Sequence, residues 1–495
     1  MKVLMPLVAA VLAVTLCHAP ARGFTFGVGS HQFDVGGFVS TGNALRLGGA
    51  DSTYIGYNSY ERSTLVAQTN KLRLSLYGSH PREVSSLMSL DLLYTSDPRR
   101  PFGDRAEVLL DEVYVDFRAK NIDFRVGLQK VIWGKADLIS PFDILTSRDF
   151  MDPFIYPTLE DRIAQTGVRL NYTFDEYTLE GVLFPIWIPS RVPQAETDAF
   201  GNTRVDEWFP PMAIYPAVAT YLDPSTGLYW FIFQPTYHPK EEPKKNPSTA
   251  TFGLKLNALK GDYDIDLYFL TAMDPTPTAT VQTMIATGTI PDLELYDPGL
   301  VITMDGTMQF RRVTALGAAV ARTLGPVSAR SELAFLTGRQ YFRLFDPESA
   351  EDALNELAYY GIGEVKGEPK GHSEVTWIAG GDYEIPGWFV LTSTQLLITS
   401  RLSHEDYYTQ PALDIDMSFA LQKGFQEDQI TVSLAGLAGF KSKALWISPA
   451  VSFTPASFED LQLGARFNVF LGEDFSKIGM YEDESSFIAT LRLLF

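Results

Sequence analysis

The chain has 495 residues, 60 acidic side chains against 40 basic ones, a formal charge of −20 and one cysteine, Cys17. Such acidity argues against a nucleic-acid partner, because phosphate backbones are held by basic surfaces. With no cysteine beyond Cys17 the chain is not built as a disulfide-stapled secreted domain, and with no apolar run of about 18 residues after the N-terminus no membrane-spanning helix is expected.

The N-terminus itself reads as a secretory leader. Lys2 precedes an apolar run from Val3 to Leu16, and small residues follow at Ala19, Ala21 and Gly23. The pattern predicts a signal peptide over residues 1–23, cut between Ala21 and Phe24, and one barrel domain over 24–495. Leu16 stands where a lipoprotein signal needs a small residue, so acylation of Cys17 is not expected. An exported chain without disulfides must be held by packing or by a closed hydrogen-bond network.

From residue 31 onward, segments of about ten residues alternate apolar with polar or small side chains, the pattern of strands in a membrane barrel. The first spans His31–Arg46. The second, Leu65–Gly78, sets Leu72, Leu74 and Leu76 against Lys71, Arg73, Ser75 and Tyr77. Val84–Tyr94 and Ala106–Ala119 follow, and Lys120-Asn121 turns into a fifth strand, where Phe124, Val126 and Leu128 oppose Asp123, Arg125, Gly127 and Gln129. Six and seven are Ile163–Tyr172 and Tyr177–Ile186; eight and nine, Thr251–Leu259 and Tyr263–Thr271; ten and eleven, Phe310–Thr323 and Val327–Leu336. Twelve to fifteen are Glu374–Tyr383, Trp388–Arg401, Pro411–Lys423 and Gln429–Phe440. The last three are Leu445–Phe453, Leu461–Leu471 and Ser486–Phe495.

The connections after even-numbered segments are all short and the long ones follow odd-numbered segments, as in a barrel with short periplasmic turns and long external loops. The expectation is therefore an all-β fold: a transmembrane antiparallel β-barrel of about 18 strands, with 16 left open, in the bacterial outer membrane. Hydrocarbon offers no hydrogen-bond partners, so extended chain crosses it only as a closed barrel with an apolar outer face. The final segment, alternating and ending on Phe495, is the type of terminal strand that barrel-assembly machinery recognises. The partners this implies are that machinery and the lipid bilayer.

The inward set is mixed in charge. Lys71, Arg73, Arg466 and Arg492 are expected to be neighbours, because closure sets the last strand beside the first; Arg118, Arg125 and Arg169 extend the basic side. Asp116, Asp123, Asp264, Asp266, Glu332, Asp414 and Asp416 are the acidic inward residues. Rings of charge set ion preference in pores, but pairing across neighbouring strands is an equal alternative, with Arg118 opposite Asp123 and Asp116 opposite Arg125. The third long loop, Gly134 to Arg162, follows Trp133 and carries Asp137, Asp143, Arg148 and Asp149. It is the candidate constriction, its carboxylates facing Arg73, Arg125 and Arg466; a solvated surface loop is the alternative. The longest loop, after Ile186, holds Trp187, Trp208, Phe209, Tyr215, Trp230 and Phe231, too aromatic for a disordered linker. It is expected to pack, as a rigid lid or as an apolar site for an amphipathic solute. A short helix, capped by Asp346 and ended by Gly361, is expected in the loop after Leu336.

Nothing in the sequence points to an enzyme. None of the six histidines has metal-ligand spacing with another, no nucleophile elbow or phosphate loop appears, and no cofactor is expected. The residues suggest a porin-like channel for a small solute.

Gly127, Gln129, Trp133-Gly134, Pro141 and Asp143 together resemble a proteobacterial family of outer-membrane barrels of unknown function. Leu128 and Ser140 stand where that family's pattern has a basic residue and an asparagine. The resemblance implies a partnership with resistance-nodulation-division exporters of the inner membrane and the handling of lipids or other hydrophobic compounds. It is the alternative to passive passage of a small polar solute.

Overall fold

The computed structural model describes residues 24–47, 52–55, 58–61, 65–81, 83–96, 105–137, 139–150, 162–192, 195–197, 203–205, 218–223, 227–237, 243–244, 246–287, 300–341, 362–366, 371–402, 404, 411–472, 478–479, 481 and 485–495. The expected leader and the helix expected between Asp346 and Gly361 lie outside these residues.

Eighteen strands close into one antiparallel barrel. They are His31–Arg46 (β1), Leu65–His80 (β2), Val84–Ser96 (β3), Arg105–Ala119 (β4), Ile122–Gln129 (β5) and Gln165–Phe174 (β6). Next come Tyr177–Phe184 (β7), Thr251–Lys260 (β8), Tyr263–Met273 (β9), Arg312–Leu324 (β10), Val327–Arg339 (β11) and His372–Ile385 (β12). The circuit ends with Val390–Leu402 (β13), Leu413–Phe425 (β14), Ile430–Gly439 (β15), Ala444–Phe453 (β16), Leu461–Leu471 (β17) and Ser486–Leu494 (β18). Each strand pairs with its sequence neighbours, and β18 pairs with β1 from Phe38↔Leu494 to Arg46↔Ser486. The alternation and the loop parity read from the sequence thus give the observed barrel. One boundary moves: Ile163, expected to open the sixth strand, pairs instead with Ser147, next to the Arg162–Arg148 pair inside the preceding loop.

The outer wall is an inverted core. Leu254, Leu267, Phe269, Leu316, Leu333 and Phe335 are all exposed and apolar, which is stable only against lipid. Leu493 shares this face through its pairing with Val39 and Leu461 but is buried there. Inside, polar side chains gather in pairs. A bulge in β4 leaves Asp111 without a partner residue on β3. Bulges re-aim side chains, and this one turns Asp111 and Glu112 both inward, where Asp111 binds Arg73 at 3.2 Å and Lys130 at 2.5 Å.

Two features extend beyond the barrel. Phe24–Val28 folds back along His31–Val35, continuing the sheet beyond Phe495. The long connections after β7, β9 and β11 build a separate five-stranded sheet: Val218–Asp223, Gly227–Tyr237, Leu300–Gln309, Thr278–Thr287 and Ile362–Lys366. The aromatic loop after Ile186 thus contributes two strands to this sheet. Its Trp187 is buried against Met273 and Phe310.

The wall tells which substitutions the membrane resists. Leu333 is 53% exposed on the outer face, whereas Leu493 is 3% exposed; a charge at Leu333 therefore meets hydrocarbon directly. Leu333→Arg costs about 2–4 kcal/mol near mid-depth and is expected to lower the heat-modifiable, folded band in outer-membrane fractions. Gln462→Arg, on the inner face, is expected to leave that band at the wild-type level.

Candidate functional site: a loop folded against the inner wall

Lys130 to Phe150, the first part of the third long loop, lies against the inner face of β7 to β11. Three features of its sequence direct it there. Gly134 has φ +112°, and a Cβ at that position would collide with Ser140; only glycine turns the chain in this way. The turn aims the N–H groups of Lys135 and Ala136 at the carboxylate of Glu332 on β11, which accepts both, with Ala136 at 2.7 Å. Ser140 Oγ donates to the other oxygen of Glu332 at 2.6 Å and accepts the Phe142 N–H at 3.2 Å. Asp143 N–H then donates to the Ser140 carbonyl at 3.2 Å, closing a turn with Pro141 in its middle. Serine, like asparagine, can accept from the backbone two residues on, so Ser140 fills the role of the asparagine it replaces.

The apolar side of the loop is matched to small wall residues. Trp133, Phe142, Ile144 and Leu145 pack with Val182, Leu270, Val313, Ala315, Ala334 and Leu336 in one buried cluster. Gly253 and Gly317 leave room for the rings: an added Cβ would lie 2.6 Å from Trp133 and 2.7 Å from Phe142. Phe142 stacks on Tyr268 with centroids 4.1 Å apart. The Trp133 indole N–H donates to Glu180 at 3.0 Å, and Glu180 also holds Arg169 at 2.8 Å and Lys255 at 2.6 Å. Trp133 and Arg169, expected at the constriction and along the pore, thus serve to seat the loop. So does Gln129, fully buried, which donates to the Gly167 carbonyl at 3.1 Å.

Charges complete the attachment. Lys135 reaches Asp264 at 2.7 Å and Asp266 at 2.8 Å on β9. Asp137 pairs with Arg330 on β11, which also binds Asp382 on β12 at 2.6 Å, and accepts from Ser393 on β13 at 2.8 Å. A loop that leaves β5 therefore touches β13, nearly halfway around the wall. Asp143 binds Arg148 at 2.7 Å and Arg162, and Asp149 binds Arg191 at 2.6 Å.

This corrects the expectation that the loop carboxylates face Arg73, Arg125 and Arg466. Arg73 holds Asp91 at 2.7 Å, Arg125 holds Asp116 at 2.7 Å, and the loop runs away from them, toward β9–β13. The cross-strand pairs Arg118–Asp123 and Arg125–Asp116 are both present. Lys71 binds Asp91 at 3.1 Å, and Asp414 lies 3.7 Å from Arg401; Asp416 is buried. Arg466 and Arg492 line a cavity on the opposite wall. Among the loop acids, Asp137 keeps 44% of its side chain exposed and Asp143 only 6%. Arg330, Asp382 and Ser393 were not singled out by the sequence, which shows the face of a strand but not which distant loop reaches it.

A closed ladder, an apolar outer belt and a polar inner face define an outer-membrane β-barrel. The chain belongs to the family described as "Protein of unknown function (DUF1302)", whose model matches residues 67–343. That stretch carries the loop and its seat from β3 through β11. No curated protein matches the chain. Among solved structures it is similar to OccAB1 of Acinetobacter baumannii, at 10% identity over 93% of this chain and 95% of that one, TM-score 0.47. It is also similar to a BenF-like porin from Pseudomonas fluorescens Pf-5, at 10% identity over 94% and 98%, TM-score 0.47. OccK9 (OpdG) of Pseudomonas aeruginosa matches at 8% identity over 93% and 97%, TM-score 0.43.

Glu332 fastens the turn through three hydrogen bonds, each worth at least about 0.5–1.5 kcal/mol. Glu332→Ala is expected to release the Lys135–Ser140 turn and, in the purified barrel, to raise trypsin cleavage after Lys135 at least tenfold. Unchanged protection of Lys135 would mean that the apolar packing alone holds the loop.

Proposed function

We propose that the protein is a porin-like channel for small solutes, with the third long loop as its constriction. The observation that carries this reading is the reach of the loop across the inner face, from β5 to Ser393 on β13. Barrels of this size enclose an aqueous lumen, and a loop fastened at Glu332, Arg330 and Ser393 narrows it without closing off the far wall. On this reading the short turns, such as Lys120-Asn121, face the periplasm, the five-stranded sheet faces outside, and residues 1–23 are the leader that directs export.

Selectivity at the constriction then falls to Asp137, which among the described acids of the loop is the one that stays exposed. Purified barrel in planar bilayers is expected to give steps of constant conductance, and Glu332→Ala to give larger and noisier ones. Under a salt gradient, Asp137→Asn is expected to move the reversal potential toward anion preference. Asp143→Asn instead removes one partner of a buried pair, a loss of about 3–5 kcal/mol, and is expected to loosen the loop. An open channel whose reversal potential ignores Asp137→Asn would remove the loop from the permeation path. A barrel that never conducts, but is purified with bound lipid, would favour transfer of hydrophobic molecules to or from an exporter partner.

A further inference from the structure

Among the described residues, the loop covers one side of the inner wall and leaves the other uncovered. On the uncovered side the inner wall carries a row of small residues across five strands: Thr69, Gly42, Thr490, Gly464 and Ser452 are successive cross-strand partners from β2 through β1, β18 and β17 to β16. Two residues toward the short-turn end, the same face presents Lys71, Ser40, Arg492 and Gln462. Two residues toward the long-loop end it presents Arg466, between Ile488 and Ala450. Small side chains between rows of long ones make a depression, and a cavity of about 410 Å³ occupies it. Thr490 and Gln462 point inward and are nevertheless exposed, so the depression opens to the lumen.

Its chemistry is one-sided. Among the described residues that line it are three cations, Lys71, Arg466 and Arg492, and no carboxylate. Between them lie hydroxyls and an amide, all able to donate. Arg492 stacks over the Phe38 ring at 3.7 Å, with Lys71 above the same ring at 5.7 Å. Lys71 is paired with Asp91, and the two guanidinium groups stand one on each rim of the depression. Guanidinium groups bind planar or tetrahedral oxyanions through paired N–H donors.

We infer that this depression is a binding site for the oxyanion group, carboxylate or phosphate, of a small solute. The site rests on the channel reading for the route by which a solute arrives, but binding itself requires no current. Arg492, on Phe38, gives a rigid platform, and Arg466 closes on the solute from the other rim, while Thr490 and Ser452 donate from the floor. An acid group is thereby held on the wall across the lumen from the loop's seat.

Calorimetry on the purified barrel in detergent tests this with sodium butyrate, inorganic phosphate and 1-butanol as probes. Saturable heat is expected with at least one anion and none with 1-butanol. Butyrate alone assigns the site to carboxylates, phosphate alone to phosphates. Arg466→Gln is expected to weaken binding about tenfold, the effect of one charge-assisted contact, with Arg466→Lys intermediate and Arg118→Gln, at the far turn, unchanged. Should Arg466→Gln fail to give the heat-modifiable band, Thr490→Val and Ser452→Ala are the replacements, each expected to weaken binding several-fold. No saturable heat with either anion, equal binding of 1-butanol, or full affinity in a folded Arg466→Gln Arg492→Gln double variant would overturn the inference. A barrel that binds butyrate but passes no current keeps this site and loses the channel reading. One that conducts without binding does the reverse.

Discussion

The rest of the structure depends on one constraint: no backbone N–H or C=O in the hydrocarbon layer can be left without a partner. The chain meets it by joining its last strand to its first. Gly37 and Phe495 exchange reciprocal backbone hydrogen bonds of 2.7 and 3.0 Å just beyond the paired residues of β1 and β18. Once the ladder is closed, the two faces of the wall have separate tasks. The outer face must be apolar. The inner face is free to vary, and function can be written only there.

That inner face is divided. From β7 to β11 it holds a patch of small and apolar residues, shaped by Gly253, Gly317, Ala315 and Ala334 to accept the rings of Trp133 and Phe142, beside the charged groups that fasten the loop. From β15 round to β2 it keeps hydroxyls, amides and cations at the edge of open space. Between these regions, most described charges are matched by a neighbour, as expected where desolvation makes a lone charge costly. Salt bridges on β2 to β5 brace the wall, whereas those to Lys135 and Asp137 attach the loop to it.

The strands were legible because their periodicity is imposed by the solvent on each side. Leu72, Leu74 and Leu76 must alternate with Lys71, Arg73 and Ser75 wherever lipid lies on one face only. The loop motif was legible as well, since Trp133-Gly134, Pro141 and Asp143 stand out from their surroundings. Its destination was not. Alternation shows that Glu332 and Arg330 point inward, but height and angular position come from register summed around the barrel. Pairing Arg118 with Asp123 across a two-residue turn needs no such sum, and it was read correctly. Phe142, Gly253 and Gly317 carry no sequence signal; they matter only because the folded wall brings them together.

The attachment of the loop also orders events in time. Ala136 lies 196 residues from Glu332, and Asp137 lies 256 residues from Ser393. Contacts so distant in sequence form late, after the intervening chain has been arranged. When β5 and β6 first pair, the turn at Gly134 has neither its acceptor on β11 nor its partner on β13. Trp133 and Phe142 are then apolar groups without a seat, so the interior of the nascent barrel remains unobstructed until its later strands have joined the wall. The loop can be fastened across the interior only once β11 and β13 stand in the wall.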